Sequence, residues 1–204
     1  MIGIVDYGVG NIRAIENIYR KLNVQTKRIK RPEDLDTVTK IILPGVGAFD
    51  HAMSRLNESG LRKALDHKVI ELKVQVLGIC VGMQIMADFS DEGDLSGLGW
   101  IPGIVRRFNI NKLNNVPKIP HMGWNEISLV DNLLLNSVDP NTGFYFLHSY
   151  YFDAKYKESV IARAFYNDEF DCAVNVENIF AVQFHPEKSH KNGILLFKNF
   201  WDMK

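Results

Sequence analysis

The stretch VLGICVGMQ, residues 76–84, sets Cys80 at the end of an apolar run, with Gly78 two residues before it and Gly82 two residues after it. A lone cysteine ending a buried strand is ordinarily packing material, because free cysteine is among the most buried residue types. The flanking glycines open a second reading. Gly78-Ile79-Cys80-Val81-Gly82 has the G-x-nucleophile-x-G form of a nucleophile elbow, a sharp strand-to-helix turn that lifts the central side chain out of the sheet. On this reading KVQVLGI (73–79) is a strand and VGMQIMADF (81–89) a helix with Met83, Met86 and Ala87 on one face. Unpaired N–H groups and the macrodipole at the start of that helix favour a thiolate, and the Val81 N–H could hold an oxyanion.

Outward from the elbow, the first half alternates strand and helix patterns, the signature of βαβ units around a parallel sheet. IGIVDY, VQTKRI and KIILP read as strands. NIRAIENIYRKL, with Ile12, Ile15, Ile18, Tyr19 and Leu22 at helical spacing, AFDHAMSRLNESG and LRKALDHKVIEL read as helices. From Gly93 the texture turns to glycine and short β-rich runs, GIVRRF, GWNEISL, GFYFLHSYYF and SVIARAFY, then the hairpin-like FDCAVNVENIFAVQF. NGILLFKNFWDMK closes as a helix, with Ile194, Leu195, Phe197 and Trp201 available to the core. The expectation is one α/β domain over 1–204, with a central, mostly parallel (mixed) sheet flanked by helices and a smaller antiparallel sheet region in the second half.

The 24 basic and 24 acidic residues cancel, so no overall field argues for a nucleic acid or a membrane as partner. The start has no positively charged region ahead of an apolar run, and no stretch reaches spanning length, so a soluble, cytoplasmic protein is expected. Two cysteines, Cys80 and Cys172, do not make a disulfide framework and are expected as free thiols.

A nucleophilic cysteine needs a base, and the base an orienting partner. AVQFHPEKSH offers both: His185 and Glu187, two apart on an extended chain, would share one face, with Pro186 discouraging helix. Taken singly, His185 reads as a turn histidine and Glu187 as a surface charge. His190 lies close enough to suggest a metal site, but no second ligand cluster accompanies it and no metal or other cofactor is expected. The GVG of residues 8–10 lacks the third glycine of a dinucleotide loop, since Arg13 stands there. The second glycine loop, LPGVGAFD (43–50), is by itself a tight turn. Beside a nucleophile on a neighbouring strand, the Val46 and Gly47 N–H groups could complete an oxyanion hole.

Together, GICVGMQ, HPE and the PGVG loop resemble the class I (triad) glutamine amidotransferases, and the similarity runs essentially end to end. PHMGWN (120–125) and HPEKSH (185–190) resemble the glutaminase subunits of imidazole glycerol phosphate synthases. The resemblance implies that Cys80 is the nucleophile, His185 the general base and acid, and Glu187 the orienter of His185. It also implies that Gln84, one helical turn beyond Cys80, and Ser149 and Tyr150 bind L-glutamine. Val81 stands where leucine is usual, which leaves the backbone N–H intact.

The resemblance further implies a partner-facing surface containing Asn11, Pro120, His121, Met122, Trp124, Tyr145 and Lys188. The partner would be a (β/α)8 cyclase subunit, forming a heterodimer and receiving ammonia for imidazole glycerol phosphate in histidine biosynthesis. Weak glutaminase activity without the partner is then expected, with the switch at the GVG loop. Met122 and Trp124, read as loop residues, fit either partner contact or a local mini-core. Competing readings are an ammonia-supplying paralogue for a surface-sugar amidotransferase, a cysteine peptidase on a related fold, and a binding subunit without catalysis. A frequent peptidase pattern puts histidine directly after the cysteine, where this chain has Val81.

Overall fold

The computed structural model describes residues 1–109 and 119–204. Its elements run β1 (Ile2–Val5), α1 (Ile12–Lys21), β2 (Thr26–Ile29), β3 (Lys40–Gly45), α2 (Phe49–Glu58), α3 (Arg62–Asp66), β4 (Gln75–Cys80) and α4 (Val81–Gln84). The second half follows with β5 (Phe89–Ser90), β6 (Gly103–Arg107), β7 (His121–Asn125), β8 (Ser128–Leu129), β9 (Phe144–His148) and β10 (Tyr150–Ala154). β11 (Val160–Tyr166), β12 (Asp168–Val176), β13 (Ile179–Val182) and α5 (His190–Asp202) complete it.

Strands β2-β1-β3-β4-β13 lie side by side in that order, all parallel. β3 is buried at every position and β4 at all but its first, as apolar strands covered on both faces must be. β12 returns antiparallel to β13, and β10 and β6 extend the same mixed sheet to β5. Most of the antiparallel strands therefore join the central sheet. Among the described residues, only β7 and β9 form a separate two-stranded sheet. Helices cover the sheet: the α1 stripe of Ile12, Ile15 and Tyr19 is buried, and Tyr19 meets Phe197 of α5 edge-on. No helix of the described residues is long and apolar enough to cross a membrane.

Four details depart from the sequence expectation. The helix after Cys80 is one turn long, ending at Gln84. The returning segment takes the carbonyls that further turns would need: Leu98 N–H donates to Ile85 O at 2.7 Å, Trp100 N–H to Met86 O at 2.9 Å and Gly99 N–H to Ala87 O at 3.0 Å. The helix expected over 61–72 is α for only Arg62–Asp66 and continues as a π turn to Glu71. GFYFLHSYYF divides at Ser149, because β9 pairs with β7 while β10 pairs with β6 and β12. Ile194 is exposed, and Leu196 and Phe200 take core positions beside Phe197.

The fold brings together the carboxyl ends of β3, β4 and β13, the usual ligand edge of a parallel sheet. β13 pairs with β4 in the register Val182↔Ile79, so the segment after β13 emerges beside Cys80. The approach of the β3 end to the elbow is close enough to exclude side chains. A Cβ on Gly82 would lie 1.9 Å from Leu43 O, and one on Gly45 2.3 Å from the Gly82 N. Gly82→Ala is accordingly expected to cost more than about 3 kcal/mol, above the usual penalty of an overpacked core, read from urea midpoints. A midpoint equal to the parent's would contradict this tight contact.

Candidate active site

Cys80 ends β4 with φ 54° and ψ −114°, a conformation strained for any residue with a side chain. That is the geometry of an elbow. The side chain faces a cavity of about 310 Å³ whose lining includes Val46, Gly47, Val81, Gln84, Ser149, Tyr150 and His185. The residues read from the sequence as triad base, oxyanion donors and glutamine contacts therefore share one pocket with Cys80. Val46 and Gly47 follow β3, with Gly47 at φ +91°, and among the described residues neither of their N–H groups donates a hydrogen bond. Tyr7 braces the end of β3, its hydroxyl donating to Pro44 O at 2.8 Å. Burial, helped by the neighbouring Cys80 charge, pushes the Tyr7 phenol far above its ordinary value, so it stays neutral.

His185 follows β13 and is buried. Its Nδ1 lies 2.9 Å from Glu187 Oε1, and the Glu187 side chain is only 2% exposed. The pair does not sit on an extended chain as expected. Pro186 opens a 3-10 turn over Pro186–Lys188, because its fixed φ suits a first helical position and its missing N–H is not needed there. Lys188 N–H and Ser189 Oγ both bond to His185 O and lock that turn. Burial opposes the charged imidazole, but its interactions with Cys80 and Glu187 outweigh burial and raise His185 to about 10. The arrangement keeps the His185 imidazole positively charged near neutral pH, beside Cys80. Leu147 O, 4.0 Å from Cys80 Sγ, is the acceptor for the thiol when it is protonated.

Gln84 Nε2 donates to Tyr150 O and to Gln183 Oε1, both at 3.0 Å. With both amide protons engaged, only its Oε1 is left for a ligand in the pocket. Tyr150 O also accepts from His148 Nδ1 at 2.8 Å. A carbonyl can only accept, so His148 Nε2 carries no proton and accepts from His121 Nδ1 at 3.1 Å. His121 Nε2 in turn accepts from Asn125 Nδ2 at 3.3 Å. Both rings are neutral: burial lowers His121 to about 4, and burial with the neighbouring histidines lowers His148 to about 3.

Seven residues were expected on a partner-facing surface, and His121 differs from the rest. It is 3% exposed, stacked against Phe146 and Tyr166. PHMGWN is largely strand β7 rather than loop, so alternation turns His121 inward and Met122 and Trp124 outward. Trp124 stacks on His190 at 5.2 Å and meets Tyr145 edge-on, while Lys188 lies over the Tyr145 ring. Met122, Trp124 and Lys188 are exposed there, and Pro120 is exposed at the pocket lip. Asn11 is exposed at the start of α1 and makes no side-chain cap. Among the described residues no group of three or more His, Cys, Asp or Glu is disposed to hold a metal ion.

Sequence reasoning passed over Glu92, His148 and Gln183. Glu92 lines the pocket and its Oε2 accepts from Phe49 N–H at the start of α2. His148 stood inside LHSYY, and Gln183 stood two residues before His185, where strand alternation alone places it on the same side.

The profile of the family described as glutamine amidotransferase class-I matches residues 3–203. The imidazole glycerol phosphate synthase subunit HisH of Leptospira interrogans is 52% identical over 201 residues, covering 98% of each chain. The HisH subunit of Bdellovibrio bacteriovorus is 52% identical over 202 residues with the same coverage. A solved crystal structure described as a glutamine amidotransferase superposes with a TM-score of 0.74 at 18% identity, covering 98% of this chain and 97% of the other, a likeness of fold. The chain belongs to the class-I glutamine amidotransferases and, within them, to the HisH family of imidazole glycerol phosphate synthase subunits.

Proposed function

We propose that the chain, acting as one glutaminase domain, hydrolyses L-glutamine to glutamate and ammonia and hands the ammonia to a cyclase subunit that forms imidazole glycerol phosphate. The observation that carries this reading is the elbow Cys80 in one pocket with His185, itself 2.9 Å from a buried Glu187. The Cys80 thiolate attacks the side-chain carboxamide carbon, and the Val81, Val46 and Gly47 N–H groups are the donors assigned to the oxyanion. As the tetrahedral species collapses, the His185 imidazolium protonates the departing nitrogen, which leaves as ammonia. Neutral His185 then takes a proton from water. The resulting hydroxide attacks the γ-glutamyl thioester, expelling the Cys80 thiolate and releasing glutamate. Glu187 keeps the His185 ring oriented through both steps. Gln84 Oε1, Ser149 and Tyr150 are the contacts for the substrate's polar ends.

Ammonia protonates in neutral water and then no longer serves as a nucleophile, so its delivery to the acceptor site needs a route shielded from solvent, which a docked partner supplies. The (β/α)8 partner is assigned to the face of β7 and β9 beside the pocket, where Met122, Trp124, Tyr145 and Lys188 gather apolar and cationic surface. Titrating the cyclase subunit into this chain is expected to raise glutamate release. Trp124→Ala should weaken the dissociation constant by about thirtyfold, the effect of losing an aromatic anchor. An unchanged constant would return Trp124 to a local packing role.

A further inference from the structure

We propose that Gln183 is a catalytic residue of the glutamine hydrolysis assigned above: its side-chain amide donates an N–H to Cys80 Sγ, held in that orientation by Gln84 and the Tyr150 carbonyl. The inference rests on the reading of Cys80 as the nucleophile. Gln183 is wholly buried, and its Nε2 lies 3.7 Å from Cys80 Sγ. An amide can present either end, but this one is given no choice. Tyr150 O accepts and cannot donate, so the Gln84 group facing it is the NH₂. The second proton of that NH₂ points at Gln183 and requires an acceptor there, which is Oε1. Nε2 is then the end that faces sulfur. One backbone carbonyl orients two amides in series, and its own position is held from the other side by the neutral His121–His148 pair.

The chemistry follows from what surrounds the sulfur. His185, with Glu187 behind it, supplies the positive charge that favours the thiolate. Leu147 O faces the sulfur with a lone pair, and Tyr7 contributes a neutral hydroxyl already committed to Pro44 O. The Gln183 N–H is a neutral donor that favours the thiolate without being able to take its proton. It forms and breaks no covalent bond. Its hydrogen bond is strongest whenever sulfur is charged, as when the thiolate leaves the thioester, and it weakens while sulfur is acylated.

The test is the pH profile of Cys80 alkylation by iodoacetamide in the full chain, with the labelled peptide identified by mass so that buried Cys172 does not interfere. Gln183→Leu removes the donor and should displace the alkylation profile to higher pH by about one unit, so that the rate on its rising limb falls about tenfold, the loss of one hydrogen bond to a charged group. At alkaline pH, where the thiol ionises unaided, the two rates should converge. Gln183→Glu places an acceptor against the sulfur and should shift the profile further in the same direction. Gln84→Met, which leaves Gln183 its amide but removes its orienter, should shift it less. A merely structural role would slow glutamine turnover and leave the alkylation profile in place. Profiles of the folded variants that superpose on the parent's overturn the proposal, and the profile needs no glutamine turnover. A failure of Cys80 as nucleophile would be read separately, as glutamine hydrolysis surviving its replacement.

Discussion

Cys80→Ala, assembled with the cyclase subunit, is expected to lose glutamine-dependent synthesis by at least about four orders of magnitude while ammonia-dependent synthesis persists. The scale follows from what remains. Oxyanion donors and the substrate contacts can still bind glutamine, but without the thiolate a water must attack an unactivated amide. No second sulfur can substitute: Cys172 is fully buried, and burial with the adjacent Asp171 charge pushes its thiol well above the ordinary range. Alanine also relaxes the cost of the φ 54° backbone only slightly, since the strain belongs to any residue with a Cβ. The fold should therefore survive, and with it the partner's use of added ammonia. Equal loss of both activities would remove the ammonia-donor assignment.

Glu187→Gln should be the next largest effect, about 10³–10⁴-fold in kcat, comparable to neutralising the orienting carboxylate of other triads. The substitution preserves shape. It removes the negative charge 2.9 Å from His185 Nδ1 and allows an NH₂ to face that nitrogen, which turns the ring toward the wrong tautomer. The pH behaviour carries a sign. His185 is raised to about 10 in the folded chain, so its charged form contributes stability that is complete below its ordinary value of about 6.5 and is lost as pH rises toward 10. Without the Glu187 charge that window contracts, and the alkaline fall of kcat/KM and of the urea midpoint should both move to lower pH. A variant within about tenfold of the parent rate, with an unmoved alkaline limb, would deny Glu187 its positioning role.

The elbow at Cys80 and the adjacency of His185 and Glu187 are legible in linear sequence because each rests on near-neighbour spacing. Gly78, Cys80 and Gly82 define a turn by themselves, and Gln183 could have been added by counting two residues back from His185. The burial of His121 is not legible in the same way. The β-rich reading begins at Gly123, and only when the strand starts at His121 does alternation send His121 inward to His148 while Met122 and Trp124 remain outside. Helix α4 was overextended because its apolar periodicity through Ala87 is genuine, with Met83, Met86 and Ala87 all buried. The carbonyls that would continue it are taken by residues 97–101, a competition between distant segments that periodicity does not register.

By itself, then, the sequence determined the alternation of strands and helices, the elbow at Cys80, and the adjacency of His185 and Glu187, because local sterics and short-range spacing decide each of these. Tertiary structure decided the rest. Parallel pairing of β13 on β4 carries His185 to Cys80, and the 3-10 turn at Pro186 aims Glu187 at it. The antiparallel β7–β9 pairing sorts His121, Phe144 and Phe146 into the aromatic core and leaves Met122 and Trp124 at the surface. The orientation of Gln183 against the sulfur depends on a carbonyl contributed by β10, a hydrogen-bond constraint that exists only after the sheet has closed.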